Sequence, residues 1–384
     1  MPFPSRQVAI VGVYLTEQGN LPDRSAESLW IEAFKGALAD AGLEAKDVDG
    51  VSCSGGQEKA GWWAQQLDKT LVNVGAGSPG AVAVAEAAAY IGAGLCNTVV
   101  IMHARAGQRI GPSGQSKAVT AKAPRVAEWG GDPWGMIMTT WYAQMAQRHM
   151  HEFGTTSEQL AEVAVTFRKH ATLNPKSVMG KRGEITIKDV LNSRMVASPL
   201  HLFDCCIDND GGYAIVLTTV ERARNLKKKP VYVLGGATAL WCASYEELND
   251  NYYPSPATVT GPRALAQAGV KHDDLDVLGI YDCFTITVVR EMEDLGFCKL
   301  GEGGPFVQGG TLGLNGKFPT NLDGGLMSHS HCGTPAGMHV IEVVRQLRRE
   351  VEPQRQVKNA KIGFCHHQGF AVLGRHGSCV LAMD

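Results

Sequence analysis

Side chains able to carry protons gather in the last third of this 384-residue chain: Tyr281-Asp282-Cys283-Phe284, His331, Cys365-His366-His367 and His376. A tyrosine hydroxyl or an imidazole held beside a reacting group accelerates proton transfer by about two to four orders of magnitude. A tyrosine used as base needs its pKa lowered, which neighbouring cationic groups supply. Each candidate also has a plainer role. Tyr281 fits a core aromatic at a strand end, Asp282 a turn cap, His367 and His376 structural or exposed positions, and Cys283 and Cys332 small packing residues. A nucleophile is harder to find. Ser78 lies in the Gly-rich stretch Val72–Gly80 with no base beside it; its plainer role is to cap a helix that has Pro79 at its first position. The ten cysteines are scattered singly apart from Cys205-Cys206, without CxxC or a His/Cys grouping of zinc-ligand spacing. No metal site or disulfide framework is therefore expected. A Gly-x-x-x-x-Gly-Lys phosphate loop is absent from the sequence.

The elements that must position these residues come from an internal repeat. Leu38-Ala39-Asp40-Ala41-Gly42-Leu43 followed by Lys46–Val51 matches Leu265-Ala266-Gln267-Ala268-Gly269-Val270 followed by Asp273–Leu278 without a gap, 227 residues later. Both copies read as an amphipathic helix ending at a left-handed Gly, an acidic turn, then an apolar strand. Strands Val8–Val13 and Val231–Leu234 precede the copies. Helices at Gly75–Ile91 and Gly333–Leu347, then strands at Thr98–Met102 and Lys361–Cys365, follow them. Alternating strands and helices imply an α/β body with mostly parallel sheets. Between the halves, residues 106–198 hold Trp129, Trp134, Trp141 and a helix-like run from Ser157 to Ala171 with a serine N-cap candidate. This insertion reads as a lid over the site or as an ordinary subdomain. Tyr281 and His331 each lie at a loop that follows a second-half strand or opens a second-half helix. Such loops gather at the ligand-binding end of an α/β sheet, which predicts a shared pocket that also takes in His366.

Composition narrows the partners. The chain is 44% apolar and 19% charged with net charge −2, so nothing steers it toward nucleic acid or anionic lipid. Its longest apolar run, near Ala81–Ala93, contains Glu86 and is too short to span a bilayer. Met1-Pro2-Phe3-Pro4-Ser5-Arg6 is unlike a signal peptide, so a cytoplasmic location is expected.

Asn321-Leu322-Asp323-Gly324-Gly325 followed by Leu326–Ser330 and His331 resembles the thiolase stretch that carries the catalytic histidine, with Cys332 where a proline is usual. Arg194–Gly212 and Thr218–Arg224 resemble the sterol-carrier branch of that family. The resemblance covers nearly the whole chain. It implies the thiolase fold: duplicated βα halves in a five-layer α/β/α/β/α arrangement, with 1–105 and 199–225 as the first half, 106–198 as a loop domain and 226–384 as the second half. The position of the nucleophilic cysteine falls on Gly77, or on Ala76 if the gap moves, and neither forms an acyl-enzyme. Tyr281-Asp282-Cys283-Phe284 takes the place of the family's Asn-Glu-Ala-Phe motif. Steroid side-chain-cleaving aldolases of this fold share that tyrosine and the missing cysteine, but carry a second tyrosine where this chain has His331. Aligning on Gly369 puts His366 at the second catalytic cysteine; a one-residue slip puts Cys365 there.

The resemblance therefore implies an acyl-CoA enzyme without the thiolase nucleophile, performing retro-aldol cleavage of a β-hydroxyacyl-CoA with a steroid or aromatic side. The expected catalytic set is Tyr281, His331, His366 and Asp282, with Gly77, Gly325, Gly369 and Cys365 around the substrate. His331 and backbone N–H groups near Gly369 are expected to meet the thioester oxyanion, and Tyr281 or His366 to take the hydroxyl proton. Coenzyme A enters as part of the substrate, and no separate cofactor is expected. Homodimers are implied, as is a small OB-fold and zinc-ribbon partner. Two other readings stay open: an acetyl-CoA acyltransferase with a non-standard nucleophile, and a non-catalytic acyl-CoA or lipid binder.

Overall fold

The computed structural model describes residues 3–53, 56–75, 80–107, 111–112, 138–241, 254–332, 337–369 and 374–384. The first half runs β1 (Val8–Leu15), α1 (Ala26–Ala41), β2 (Gly50–Cys53), α2 (Gly56–Gln66), β3 (Val72–Asn73), α3 (Gly80–Gly92) and β4 (Thr98–Arg105). The intervening segment holds β5 (Gly111–Pro112), α4 (Met138–Phe153), α5 (Ser157–Leu173), α6 (Ile187–Asn192), β6 (Met195–Ala197), β7 (Leu200–His201) and β8 (Ile207–Asp208). The chain then returns as β9 (Gly211–Thr219) and the short α7 (Val220–Ala223). The second half is β10 (Val231–Leu240), α8 (Ala257–Ala268), β11 (Val277–Ile280), α9 (Thr285–Asp294), α10 (Gly303–Phe306), α11 (Gly325–Ser328), α12 (Gly337–Arg348), β12 (Ile362–Gly369) and β13 (Arg375–Ala382).

The two copies of the repeat adopt one local structure. α1 ends at Gly42 (φ 75°, ψ 32°) and α8 at Gly269 (φ 68°, ψ 29°), both left-handed. In the short 3-10 turns that follow, Asp47 and Asp274 each accept the backbone N–H three residues earlier, at 2.8 Å in both cases. Two residues on, Asp49 accepts Asn97 N–H and Thr98 N–H at the start of β4, while Asp276 accepts Lys361 N–H and Ile362 N–H at the start of β12. Strand order carries the correspondence through the sheet. It reads β1-β9-β4-β2-β3 in one half and β10-β13-β12-β11 in the other. Leu278 of β11 bridges Thr320 in parallel, where β2 has β3.

The sheet is mixed, which corrects the expectation of mostly parallel strands: five of its eight pairs are antiparallel. The helix-linked strands β2, β3 and β4 pair in parallel, as do β11 and β12. Each half then closes with a strand, β9 or β13, that has no helical crossover to set it parallel and inserts antiparallel between its neighbours. The half-sheets meet only at Ala9↔Tyr232 and Ile10↔Val231. α3 and α12 pack against strands of both halves, while α1 covers the first and α8 the second, giving five layers. α3 is Ala/Val-rich and buried on nearly every side, as a central-layer helix must be. α4 and α5 rest on α9, and α5 also on α11, so the intervening segment packs on the second half. Its helix α5 starts one residue earlier than the serine reading: Thr156 is the N-cap, in a capping box with Gln159. Trp129 and Trp134 lie outside the described residues.

The left-handed caps give a stability test. A Cβ at Gly269 meets nothing within 4 Å, so Gly269→Ala isolates backbone strain. It is expected to lower unfolding stability by about 1–2 kcal/mol. Gly42→Ala adds a contact with Lys227 at 3.1 Å and is expected to cost at least as much in chemical denaturation.

Candidate active site

Tyr281 and Asp282 follow the last residue of β11, where the loop carrying His331 is fastened. Asn321 accepts Ile280 N–H at 2.9 Å and donates to Ile280 O at 2.7 Å. Asp282 is fully buried and accepts Leu326 N–H at 2.9 Å and a proton from His339 Nε2 of α12 at 2.9 Å. A Cβ on Gly325 would stand 2.1 Å from Asp282 Oδ2, and Gly325 has φ 60°. Two requirements thus demand glycine there. Asp282 anchors the loop, and its reach to His339 explains why it sits beside Tyr281.

His331 is buried and held at both ends. Its N–H donates to Asn209 Oδ1 at 2.8 Å, and its Nδ1 lies 3.6 Å from Cys206 Sγ and 3.8 Å from Asp208 Oδ1. Asp208 is paired with Arg105 at 3.0 Å. Burial pushes the His331 pKa below the ordinary imidazole value, opposed by Asp208, so the ring is neutral at pH 7. The carboxylate on the Nδ1 side favours the single proton there. Nε2, buried and without a partner among the described residues, is left as a proton acceptor. His103 braces the loop by its contact with Cys332 O at 2.9 Å, and burial lowers its pKa to about 4.

On β12 the histidine that faces Tyr281 is His367, while His366 faces the other way. Successive side chains of β12 face opposite sides of the sheet. His366 turns toward Ser378 (2.8 Å) and His376 (3.1 Å). His367 faces Tyr281, with ring centroids 6.4 Å apart, and His331 stands 6.4 Å from the same tyrosine ring. His367 Nδ1 accepts Ala81 N–H, in the first turn of α3, at 2.7 Å. Nδ1 is therefore unprotonated and Nε2 carries the hydrogen. Nε2 is buried without a partner, and desolvation holds the ring's pKa well below 6.5. Tyr281 thus stands between a neutral acceptor and a neutral donor.

Cys365 faces Cys379 across β12 and β13 and lies against Gly279; burial raises its thiol far above the usual range. Gly369 ends β12, opposite Arg375. Gly77, Ser78 and Pro79 lie outside the described residues. The sequence reading missed His367 as a site residue, and with it Cys206, Asp208 and Asn209. Counting back two residues from Gly369 along one face of the strand would have found His367. Among the described residues no helix is long and apolar enough to cross a membrane.

Comparison with known proteins follows this geometry. The family model described as "Thiolase C-terminal domain-like" matches residues 237–383. The chain is 35% identical to an acetyl-CoA acetyltransferase of Methanothermobacter thermautotrophicus over 95% of this chain and 96% of that one. It is also 35% identical to a steroid side-chain-cleaving aldolase of Thermomonospora curvata, over 88% and 90%. A solved structure titled Ltp2-ChsH2(DUF35) aldolase superposes with TM-score 0.87 at 30% identity, over 99% of this chain and 98% of that one.

The neutral histidines predict acid lability. Burial holds His103 and His170 at about 4 and His329 at about 3. Between those values and 6.5 the unfolded chain binds protons that the folded chain does not, so stability falls as pH drops. The decline is at most roughly 1.4 kcal/mol per pH unit for each histidine. Unfolding free energies measured from pH 7 to pH 4 should fall steeply. A flat profile would mean these side chains are protonated in the folded protein.

Proposed function

We propose a reaction from one premise: the chain belongs to the thiolase superfamily. It cleaves a β-hydroxyacyl-CoA, with a steroid or aromatic group on the side that leaves as carbonyl. The hydroxyl proton passes to a base, the bond between the α and β carbons breaks, and the β carbon departs as a ketone or aldehyde. The bonding electrons enter the thioester as an enolate, which takes a proton at the α carbon and leaves as a shortened acyl-CoA. The observation that carries this reading is Tyr281 set between His331 and His367, each with a buried Nε2 that has no partner among the described residues.

The roles follow from the tautomers. His367 Nε2–H is a fixed donor for the thioester oxyanion; such donors are worth about two to three orders of magnitude in rate. His331 Nε2 takes the substrate proton by way of the Tyr281 hydroxyl. Asp282 positions both by fixing the loop between them. Gly77, at the nucleophile's place in the family, has no side chain to attack the thioester, and N–H groups near Gly369 add to the oxyanion site. His366 and Cys365 pass from catalytic candidates to supporting positions in the strand.

A second reading has one observation in its favour. Cys206 Sγ lies 3.6 Å from His331 Nδ1, a thiol–imidazole pair that an acyltransferase with a non-standard nucleophile would use. The proton favoured on Nδ1 by Asp208 argues against that ring nitrogen as the thiol's base.

Assembly is part of the proposal. Among the described residues β3 ends the strand order with an unpaired edge, a ready surface for a second copy. The Ltp2-ChsH2(DUF35) relative makes a small partner subunit the expected companion.

Tyr281→Phe is expected to lower turnover by about 10²–10⁴-fold with little change in binding. His367→Ala should lose about 10²–10³-fold. His366→Ala should cost about 1–3 kcal/mol of stability while the folded fraction turns over near the parent rate. Near-normal turnover in Tyr281→Phe would remove the proton-transfer role.

Cys206→Ala should keep turnover within about tenfold, and mass spectrometry after mixing with acyl-CoA should show no acylated protein. An acyl adduct on Cys206, together with an inactive alanine variant, would establish the transferase instead.

A further inference from the structure

Beside the His331 loop lies a cavity of about 170 Å³. Its walls include Met179, Ile185, Leu202, Phe203, Ile207 and Met327, and Cys206, the neighbour of His331, closes one side. A pocket of roughly 150 Å³ holds one benzene-sized group. The lining also contains two arginines, Arg168 of α5 and Arg182 of the following 3-10 turn.

Arg168 is the anomaly. Only 3% of it is exposed. Its Nε donates to Ser328 Oγ at 3.0 Å, and its guanidinium lies 5.5 Å over the Phe203 ring. Among the described residues no carboxylate pairs with it, and its remaining nitrogens have no hydrogen-bond partner. The nearby charge acting on it is a second cation, Arg182. A guanidinium does not shed its proton in a protein. A buried charge costs several kcal/mol unless it is paired, and arginine presents a planar fork suited to a carboxylate. The chamber therefore presents two guanidinium groups, one of them with donors to spare, to an anionic group of a ligand.

We propose that the acyl group of the substrate, whatever bulky group it also bears, carries a carboxylate of its own, seated on Arg168 and Arg182, so that the enzyme accepts CoA half-thioesters of dicarboxylic acids, of which adipyl-CoA is the simplest mimic. This rests on the assignment of the site to acyl-CoA. Position favours the acyl group as the source of the anion. The chamber adjoins the His331 contact, whereas the phosphates of CoA are separated from the thioester by the whole pantetheine arm.

Calorimetry with free CoA, hexanoyl-CoA and adipyl-CoA tests this, because the two thioesters differ in a terminal methyl against a terminal carboxylate. The parent protein should bind adipyl-CoA about 10- to 100-fold tighter than hexanoyl-CoA. Arg168→Met should abolish that preference and leave free CoA and hexanoyl-CoA within about threefold. Arg182→Gln, at an exposed side chain, should weaken adipyl-CoA alone by several-fold, and it decides the matter if the Arg168 variant does not fold. Equal affinity for the two thioesters in the parent overturns the proposal. So does a parallel loss of free CoA binding in Arg168→Met, which would assign the cation to the CoA phosphates. Turnover of 3-hydroxyadipyl-CoA to acetyl-CoA and 4-oxobutanoate tests the reaction separately. Preference without turnover leaves the chamber and sinks the cleavage; turnover without preference does the reverse.

Discussion

A carboxylate with no exposure to water holds the site together. Asp282 gathers backbone N–H groups from α11 and the imidazole of His339 from α12. Left unpaired at that depth, its charge would cost several kcal/mol; paired with neighbours from two other segments, it joins the end of β11 to both of them. Everything that touches Tyr281 inherits this constraint. The loop to His331 cannot shift without uncovering the carboxylate, and Gly325 cannot gain a Cβ without striking it. Asn321 ties the same loop to Ile280 from the other side. Rigidity of this kind matters for oxyanion donors, because a donor already in place pays no reorganisation when charge develops.

Why the central layer can deliver both histidines follows from how the half-sheets meet. They share two residue pairs and then diverge, which admits α3 and α12 between them. The first turn of α3 reaches His367 of the second half through Ala81 N–H. That single backbone donor sets the tautomer of an imidazole 286 residues away. The site is consequently a property of the duplicated body, since neither half alone supplies the strand, the helix start and the loop.

Much of this was legible in the sequence because it is local. The glycine after each repeat helix, the acidic turn and the strand that follows are set within a dozen residues by caps and periodicity, and the structure has them at matching places. Tyr281, Asp282 and His331 were legible through motif resemblance. The antiparallel return strands were not, because pairing direction depends on the connection and the partner, and β9 lies beyond a long insertion. His367 was missed for a simpler reason. Two adjacent histidines differ only in which face of β12 they take, and anchoring on Gly369 without imposing the two-residue period chose the one that faces away from Tyr281. Cys206 and Arg168 come from segments far from the His331 motif: Cys206 is brought beside it by its backbone bond to Cys283 O, and Arg168 by the packing of α5 against α11.

The arrangement also suits the proposed reaction, which needs no nucleophile. A thiolase-type acyl-enzyme needs a thiolate, which this buried environment opposes: desolvation raises Cys283 and Cys332 to about 12 and pushes Cys205 far above the usual thiol range. Histidines respond to the same desolvation in the opposite sense, because it penalises their cationic form. They stay neutral, and each then offers one donor and one acceptor whose orientation its neighbours set. A site that works by moving a proton and sheltering an enolate thus gains from the burial that would disable a thiol. Within one low-dielectric chamber the proton relay is neutral at rest. In the proposed reaction negative charge develops there only as the carbon–carbon bond breaks, beside the Nε2–H of His367.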